Sequence, residues 1–148
     1  MRSWIVFFLA LIGTFIIDES IKSLFLDGYY KEGSCINLEL HLNHGVAFSM
    51  FAFLGDYLKW FQGLLIVGLF VLALKEKLVQ NYAVAMGLLV GGALGNLYDR
   101  FVHGAVVDYV AWHCGFNYAV FNYADVVIDV AVVWIAIGMY LKSKKESR

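Results

Sequence analysis

The sequence predicts an all-α membrane protein, four transmembrane helices with a small extracytoplasmic β-platform. Three observations carry that prediction. Hydrophobic residues make up 61% of the 148 positions and charged ones 16%, where a soluble domain averages about 45–50% and about 25%. Apolar runs fall at residues 4–26, 58–74, 82–97 and 126–141. Between the first two runs, Ile36, Leu38, Leu40 and Leu42 alternate with Asn37, Glu39, His41 and Asn43. Period two over that length sets one strand face on an apolar layer and the other toward water. Residues 1–148 are expected to form one integral membrane domain.

The run at 4–26 follows Arg2 in the manner of a signal peptide. Asp18, Glu19 and Ser20 stand where a small-residue cleavage site would be needed, so a retained helix is expected. Its 23 residues would measure about 35 Å, enough to span. Asp18 and Lys22, four apart, share one helical face and read by themselves as an interfacial ion pair. Residues 27–31 form a polar turn bounded by Gly28 and Gly33. Asn43-His44-Gly45 ends the strand in a turn, since Asn and Gly tolerate left-handed backbone. Residues 46–54 are apolar apart from Ser49 and are expected to lie on the membrane surface.

Lys75, Glu76 and Lys77 close the second span. In the third, Gly87, Gly91 and Gly95 recur every four residues and form one stripe where a neighbouring helix can come close. Lys142, Lys144, Lys145 and Arg148 close the fourth. The chain has no proline, so no helix is kinked by a missing N–H.

Four spans put both termini on one side. Arg2, Lys75, Lys77, Lys142, Lys144, Lys145 and Arg148 lie on that side; Lys31 and Arg100 lie on the other, with Lys22 and Lys59 inside spans near it. Cytoplasmic loops are enriched in such residues, so the termini are expected in the cytoplasm and the strand outside. The net charge of −1 offers no basic surface for nucleic acid.

On the outer side four separate segments contribute Asp18, Lys22, Asn43, Asn96, Asp99, Arg100, Asp108, Asn122 and Asp125. Scattered interfacial residues would not gather on one face from every outer segment, so the cluster points to a site. Ionisable groups beside a hydrocarbon layer are costly and suggest function. Asp108 reads as catalytic or as an exposed loop aspartate; Asp125 as catalytic or as the cap of the fourth helix. Arg100 reads equally as a lipid-headgroup ligand or as a helix cap. His41, His44, His103 and His113 are all outward, but no HExxH occurs and His41-x-x-His44 has no fixed ligand geometry, so no metal or cofactor is expected. No Ser lies in a nucleophile elbow. Cys35 and Cys114 form no CxxC pair and are expected as ordinary thiols, a bridge requiring both to face an oxidising compartment.

Five strings bear a resemblance. They are Asp18-Glu-Ser-Ile-Lys22, Asn43-His-Gly45-Val-Ala47-Phe48-Ser49, Gly91-Gly92-Ala-Leu-Gly95-Asn96-Leu-Tyr-Asp99-Arg100, Gly104-Ala-Val-Val-Asp108-Tyr109 and Phe121-Asn122-Tyr-Ala124-Asp125. In this order they resemble the lipoprotein signal peptidase (signal peptidase II) family, over the chain from the first span to the fourth. The resemblance implies a multi-pass aspartic endopeptidase of the bacterial cytoplasmic membrane. It would remove signal peptides from prolipoproteins, cutting before a diacylglyceryl-modified cysteine, with its site facing outward. It implies Asp108 and Asp125 as the catalytic pair, with Asp18, Lys22, Asn43, Asn96, Arg100 and Asn122 as binding and orienting groups. Lipid-modified precursors and membrane phospholipids would be the partners of a monomer. Glu19 departs from the family's usual Gln, His44 from a small or polar residue, and Asp129 is outside its pattern. Two other classes differ in what they require: an ion-coupled carrier needs acids inside several spans, and a scaffold needs no outward polar cluster.

Overall fold

The computed structural model describes residues 1–45, 55, 57–115 and 120–146. The surface element expected at 46–54 lies outside the described residues. The elements run α1 (Arg2–Leu26), β1 (Ile36–Asn43), α2 (Tyr57–Lys75), α3 (Leu78–Asn81), α4 (Ala83–Val102), β2 (Val106–Trp112), β3 (Val120–Phe121) and α5 (Tyr123–Glu146).

Three helices, α1, α2 and α5, are long and apolar enough to cross a membrane. Helix α1 shows why. Ile5, Leu9, Ile12 and Ile16 are exposed, while Phe7, Thr14, Asp18, Lys22 and Phe25 are buried. Its outward face is apolar and its inward face partly polar, the arrangement expected where lipid is the solvent. The third expected span, 82–97, coincides with α4 apart from Tyr82, which precedes the helix. This helix packs against α1, α2 and α5 and runs on to Val102, so Asn96, Asp99 and Arg100 sit inside its last two turns. Those polar residues lower its hydropathy, and neighbouring helices cover it.

The glycine stripe does what its spacing predicts. A Cβ on Gly87 would come within 2.6 Å of both Ala10 Cβ and Phe7 O, and one on Gly91 within 2.7 Å of Leu11 O. One on Gly95 would collide with Asp18 Oδ2. The stripe therefore faces α1. Gly92, one position on, faces Ala124 O at 3.0 Å in α5. The apolar core lies toward the other end of the bundle, around Phe7, Val79, Met86 and Ala131.

The platform is an antiparallel sheet in the order β1-β2-β3. Strand β1 has the expected bounds, but its alternation is broken. Ile36 pairs with Trp112 and Leu38 with Val110, whereas His41 pairs with Asp108 and Asn43 with Val106, a register shift between Leu38 and His41. Glu39 and Leu40 thus stand opposite Tyr109 alone, as in a β-bulge. Paired residues share a sheet face. Asn43 therefore joins Ile36 and Leu38 on the Asp108 face, and Leu42 turns to the other. The single apolar face expected for Ile36, Leu38, Leu40 and Leu42 is overturned, because a one-residue slip exchanges the faces.

The thiol expectation is also overturned: Cys35 and Cys114 are joined in a disulfide. They lie 79 residues apart, but the β1–β2 pairing, extended by His113 N–H donating to Cys35 O at 2.9 Å, brings their Cα atoms to 4.3 Å. At the other end of β2, a short turn joins it to α4. Gly104 has φ +73° there, which a side chain would strain.

Candidate active site

Asp108 lies on β2 with 2% exposure, so the reading of it as an exposed loop aspartate falls. Asn43 Nδ2 donates to its Oδ2 at 3.0 Å and Asn122 Nδ2 to its Oδ1 at 2.8 Å. Asn43 is itself held, its Oδ1 accepting from Gly45 N–H at 2.9 Å. Burial pushes the Asp108 carboxyl up to about 6. The hydrogen bond from Asn43 opposes that rise, the charge of Asp125 adds to it, and the hydrogen bond from Asn122 opposes it.

Asp125 stands in the first turn of α5, but it is not the cap. Asn122 precedes the helix; its Oδ1 accepts from Asp125 N–H at 2.9 Å and its own N–H donates to Asp125 Oδ2 at 3.1 Å. This is a capping box, with Asn122 as the cap and Asp125 as its reciprocal partner. The second oxygen of Asp125 accepts from Asn96 Nδ2 at 2.9 Å.

Asn122 is fully buried, and its amide also donates toward Asn96 Oδ1 at 3.1 Å and Val107 O at 3.3 Å. Both acids are thus bonded to one residue. A buried polar network of this kind restrains the groups that it joins.

Asp18 and Lys22 lie behind this layer. Lys22 Nζ is 2.6 Å from Asp18 Oδ2 and 2.6 Å from Asp99 Oδ2, and donates to Asn96 Oδ1 at 3.0 Å. All three charged groups are at most 1% exposed, so this is not the interfacial pair that spacing alone suggested. The acids also anchor backbone: Asp18 Oδ1 accepts from Ala124 N–H and Asp99 Oδ2 from Val107 N–H, each at 3.1 Å. One lysine therefore ties α1, α4, the start of α5 and β2 together. Asp99, which its sequence position marks only as one of the outward polar cluster, completes this triad. The one-turn spacing from Asn96 in GNLYDR was the available signal.

Arg100 is 7% exposed. Its Nη1 donates to Asn96 O at 3.3 Å, and its Nη2 donates to Gly45 O. It thereby links the end of α4 to the turn after β1. The structure brings together all eight expected residues: Asp108 and Asp125 with Asn43, Asn96 and Asn122 around them, and Asp18, Lys22 and Arg100 supporting. The ring nitrogens of His41 and His113 bond elsewhere. His41 Nε2 meets Glu39 Oε1 at 2.9 Å and His113 Nε2 meets Asn37 Oδ1 at 3.1 Å. Glu19 is half-buried and Asp129 exposed on α5.

Two carboxyls held on a common asparagine, one titrating near neutrality, can share a proton and work as an acid and a base. The family model for signal peptidase (SPase) II matches residues 10–141. A lipoprotein signal peptidase of Sulfurovum sp. (strain NBC37-1) is 66% identical over 95% of this chain and 96% of its own length. That of Sulfurimonas denitrificans is 55% identical over 93% of this chain and 89% of its own length. A solved structure described as a bacterial membrane enzyme determined by the in meso method superposes with a TM-score of 0.74 at 25% identity, covering 95% of this chain and 90% of that one.

Proposed function

The chain belongs to the signal peptidase II family, and from that premise we propose that it is an aspartic endopeptidase that cuts prolipoproteins before the diacylglyceryl-modified cysteine, with Asp108 and Asp125 activating water. Membership makes it a bacterial multi-pass membrane protease of lipoprotein processing. The observation that carries the finer reading is the attachment of both carboxyls to Asn122.

An amide is a poor electrophile, and water a poor nucleophile. A carboxylate takes a proton from water as it attacks; a carboxylic acid donates a hydrogen bond to the carbonyl oxygen as negative charge builds on it. A pair holding one proton supplies both. When the tetrahedral intermediate collapses, the C–N bond breaks and the proton passes to the nitrogen of the departing cysteine. The signal peptide leaves with a new carboxylate and the pair is restored. Asn43, Asn96 and Asn122 fix the carboxyl oxygens, and Asp18, Lys22 and Arg100 fix the elements bearing them.

In this reading the whole chain is one domain of four spans, α4 being the third. Both termini are cytoplasmic and the platform faces outward. The enzyme works as a monomer among phospholipids, its cut site held at the interface by the substrate's own lipid. The test is cleavage of lipid-modified precursor by purified protein. Asp108→Asn and Asp125→Asn should each abolish turnover, and the double variant should be little worse, because residues acting as a unit are strongly non-additive. If Asp125 serves only the capping box, Asn accepts the same N–H and Asp125→Asn is nearly silent. Near-normal turnover by that folded variant overturns the proposal.

A further inference from the structure

A small, open cleft lies beside the site, lined by His44, Gly55, Leu58, Lys59, Arg100 and Gly104. Its cationic and donor groups come from three places: the turn after β1, the first turn of α2 and the last turn of α4. The cleavage reading gives Lys59, His44 and Gly104 no role.

Arg100 is the reason to look for a ligand. Its guanidinium carries five N–H donors and a permanent charge. The two acceptors it meets, Asn96 O and Gly45 O, are neutral carbonyls. Lys22 and His41, by contrast, meet carboxylates at ion-pair distance. Asp99, Asp108 and Asp125 act on Arg100 from beyond ion-pair distance. A cap for α4 would spend one N–H on Asn96 O and would not need a charge. A cation 93% buried, its charge unmatched by a contacting carboxylate among the described residues, is expensive unless an anion completes it; that burial is the complement of its 7% exposure.

The surroundings narrow the anion. Tyr57, Trp60 and Phe101 are exposed around the cleft. Trp60 meets the edge of Phe101 at 5.3 Å, and Lys59 Nζ stands 5.7 Å from the centre of the same ring. Exposed aromatics at the end of a membrane helix mark the headgroup level. Donors arriving from three elements suit a tetrahedral oxyanion, which offers oxygens in several directions, better than a planar carboxylate. A side chain is absent where the turn reaches the cleft, at Gly104, and a Cβ there would meet open space.

We propose that this cleft is a binding site for a phosphate-class oxyanion, supplied by the phosphodiester of a membrane phospholipid or by free phosphate, with Arg100 at its base and Lys59 and His44 at its mouth. The site adjoins the acid pair through Arg100, but its occupation does not depend on which acids cut.

The experiment is thermal denaturation of the purified protein in a neutral detergent, titrated with dihexanoyl-phosphatidylglycerol, with dihexanoylglycerol, which has the same chains without the phosphate, and with inorganic phosphate. The phospholipid should raise the midpoint saturably, and dihexanoylglycerol should not. Lys59→Gln with His44→Gln should weaken half-saturation about fivefold, the worth of a partly exposed charge contact. Lys75→Gln, at the opposite end of α2, should leave it unchanged. Competition by inorganic phosphate assigns the site to phosphate in general; its failure to compete assigns it to the lipid. An equal shift from dihexanoylglycerol, or a phospholipid shift indifferent to the Lys59 and His44 substitutions, overturns the proposal.

Discussion

Asn122 donates from its amide to Asp108 at 2.8 Å while its backbone and side chain clasp Asp125 in a capping box. The start of α5 and the middle of β2 are therefore positioned against each other by one side chain. Asn122→Ala should remove the bond to Asp108 and the cap together. Hydrogen bonds to charged groups are worth about 1.5–3 kcal/mol each, so kcat should fall roughly a hundredfold or more. KM should change little, because the lost contacts hold acids, not substrate. A loss confined to KM would mean that Asn122 contacts the precursor instead.

The proton on Asp108 gives two substitutions of opposite sign. Its carboxyl titrates at about 6, raised by burial and by the charge of Asp125 and lowered by the bond from Asn43. Asp125→Asn removes a like charge and should move that titration down. Asn43→Leu removes a donor that favours the ionised form and should move it up. Carboxyl infrared spectra against pH read both shifts without needing activity. Shifts of the same sign would show that the two residues act on Asp108 through a common rearrangement. In the unsubstituted enzyme, activity should be bell-shaped in pH, since the pair fails with two protons and again with none. Stability follows the same carboxyl: its folded pKa lies above its unfolded value, so its contribution is full below about 4 and fades as pH rises through about 6.

The polar residues of the site were legible in the sequence, because helical spacing and the position of charge beside apolar runs are local facts. Their connections were not. Asn43 reads by parity as facing away from Ile36, and only the bulge at Glu39 and Leu40 turns it toward Asp108. A bulge depends on the partner strand's register, which β1 alone does not encode. Asp125 reads as a cap because it heads an apolar run; the true cap, Asn122, is revealed by its reciprocal bonds. The disulfide escaped for a similar reason, since strand pairing joins cysteines 79 residues apart. The glycine stripe was fully legible, spacing alone specifying both its face and its purpose.

Lys22 holds two buried carboxylates. Lys22→Met should leave both unmatched, and removing one partner from a buried ion pair costs about 3–5 kcal/mol. Adding Asp18→Asn and Asp99→Asn should recover much of that loss, because the remaining groups are then neutral. Unfolding in mixed detergent micelles measures the series. No recovery in the triple variant would show that Lys22 contributes through packing rather than charge.

Glycines in α4 and α2 should respond differently to one methyl group. Gly91→Ala pushes a Cβ into Leu11 O at 2.7 Å and Thr14 Cβ at 2.9 Å, while nothing lies within 4 Å of a Cβ on Gly68. Overpacking costs about 1–3 kcal/mol, so Gly91→Ala should destabilise by that amount. Gly68→Ala should be neutral or stabilising by up to about 1 kcal/mol, from helix propensity. A tolerated Gly91→Ala, read by the same unfolding assay, would show that α1 and α4 can separate at no cost.

The disulfide makes the orientation testable with the unaltered chain. Cys35 and Cys114 are its two cysteines, they are paired, and both flank the strands that bear Asn43 and Asp108. Disulfides persist in oxidising compartments and are rare in the cytosol. The Lys and Arg distribution independently gives the expectation of an outward platform. Spheroplasts treated with a membrane-impermeant maleimide should therefore show no adduct on this chain. After an impermeant phosphine reductant, the same reagent should add twice. The order of the steps separates the alternatives. A platform facing the cytoplasm would hold reduced thiols, so labelling would need permeabilised membranes and no reductant. That outcome would place the acid pair on the wrong side of the bilayer for a precursor whose modified cysteine lies at the outer surface, and would remove the proposed cleavage with it.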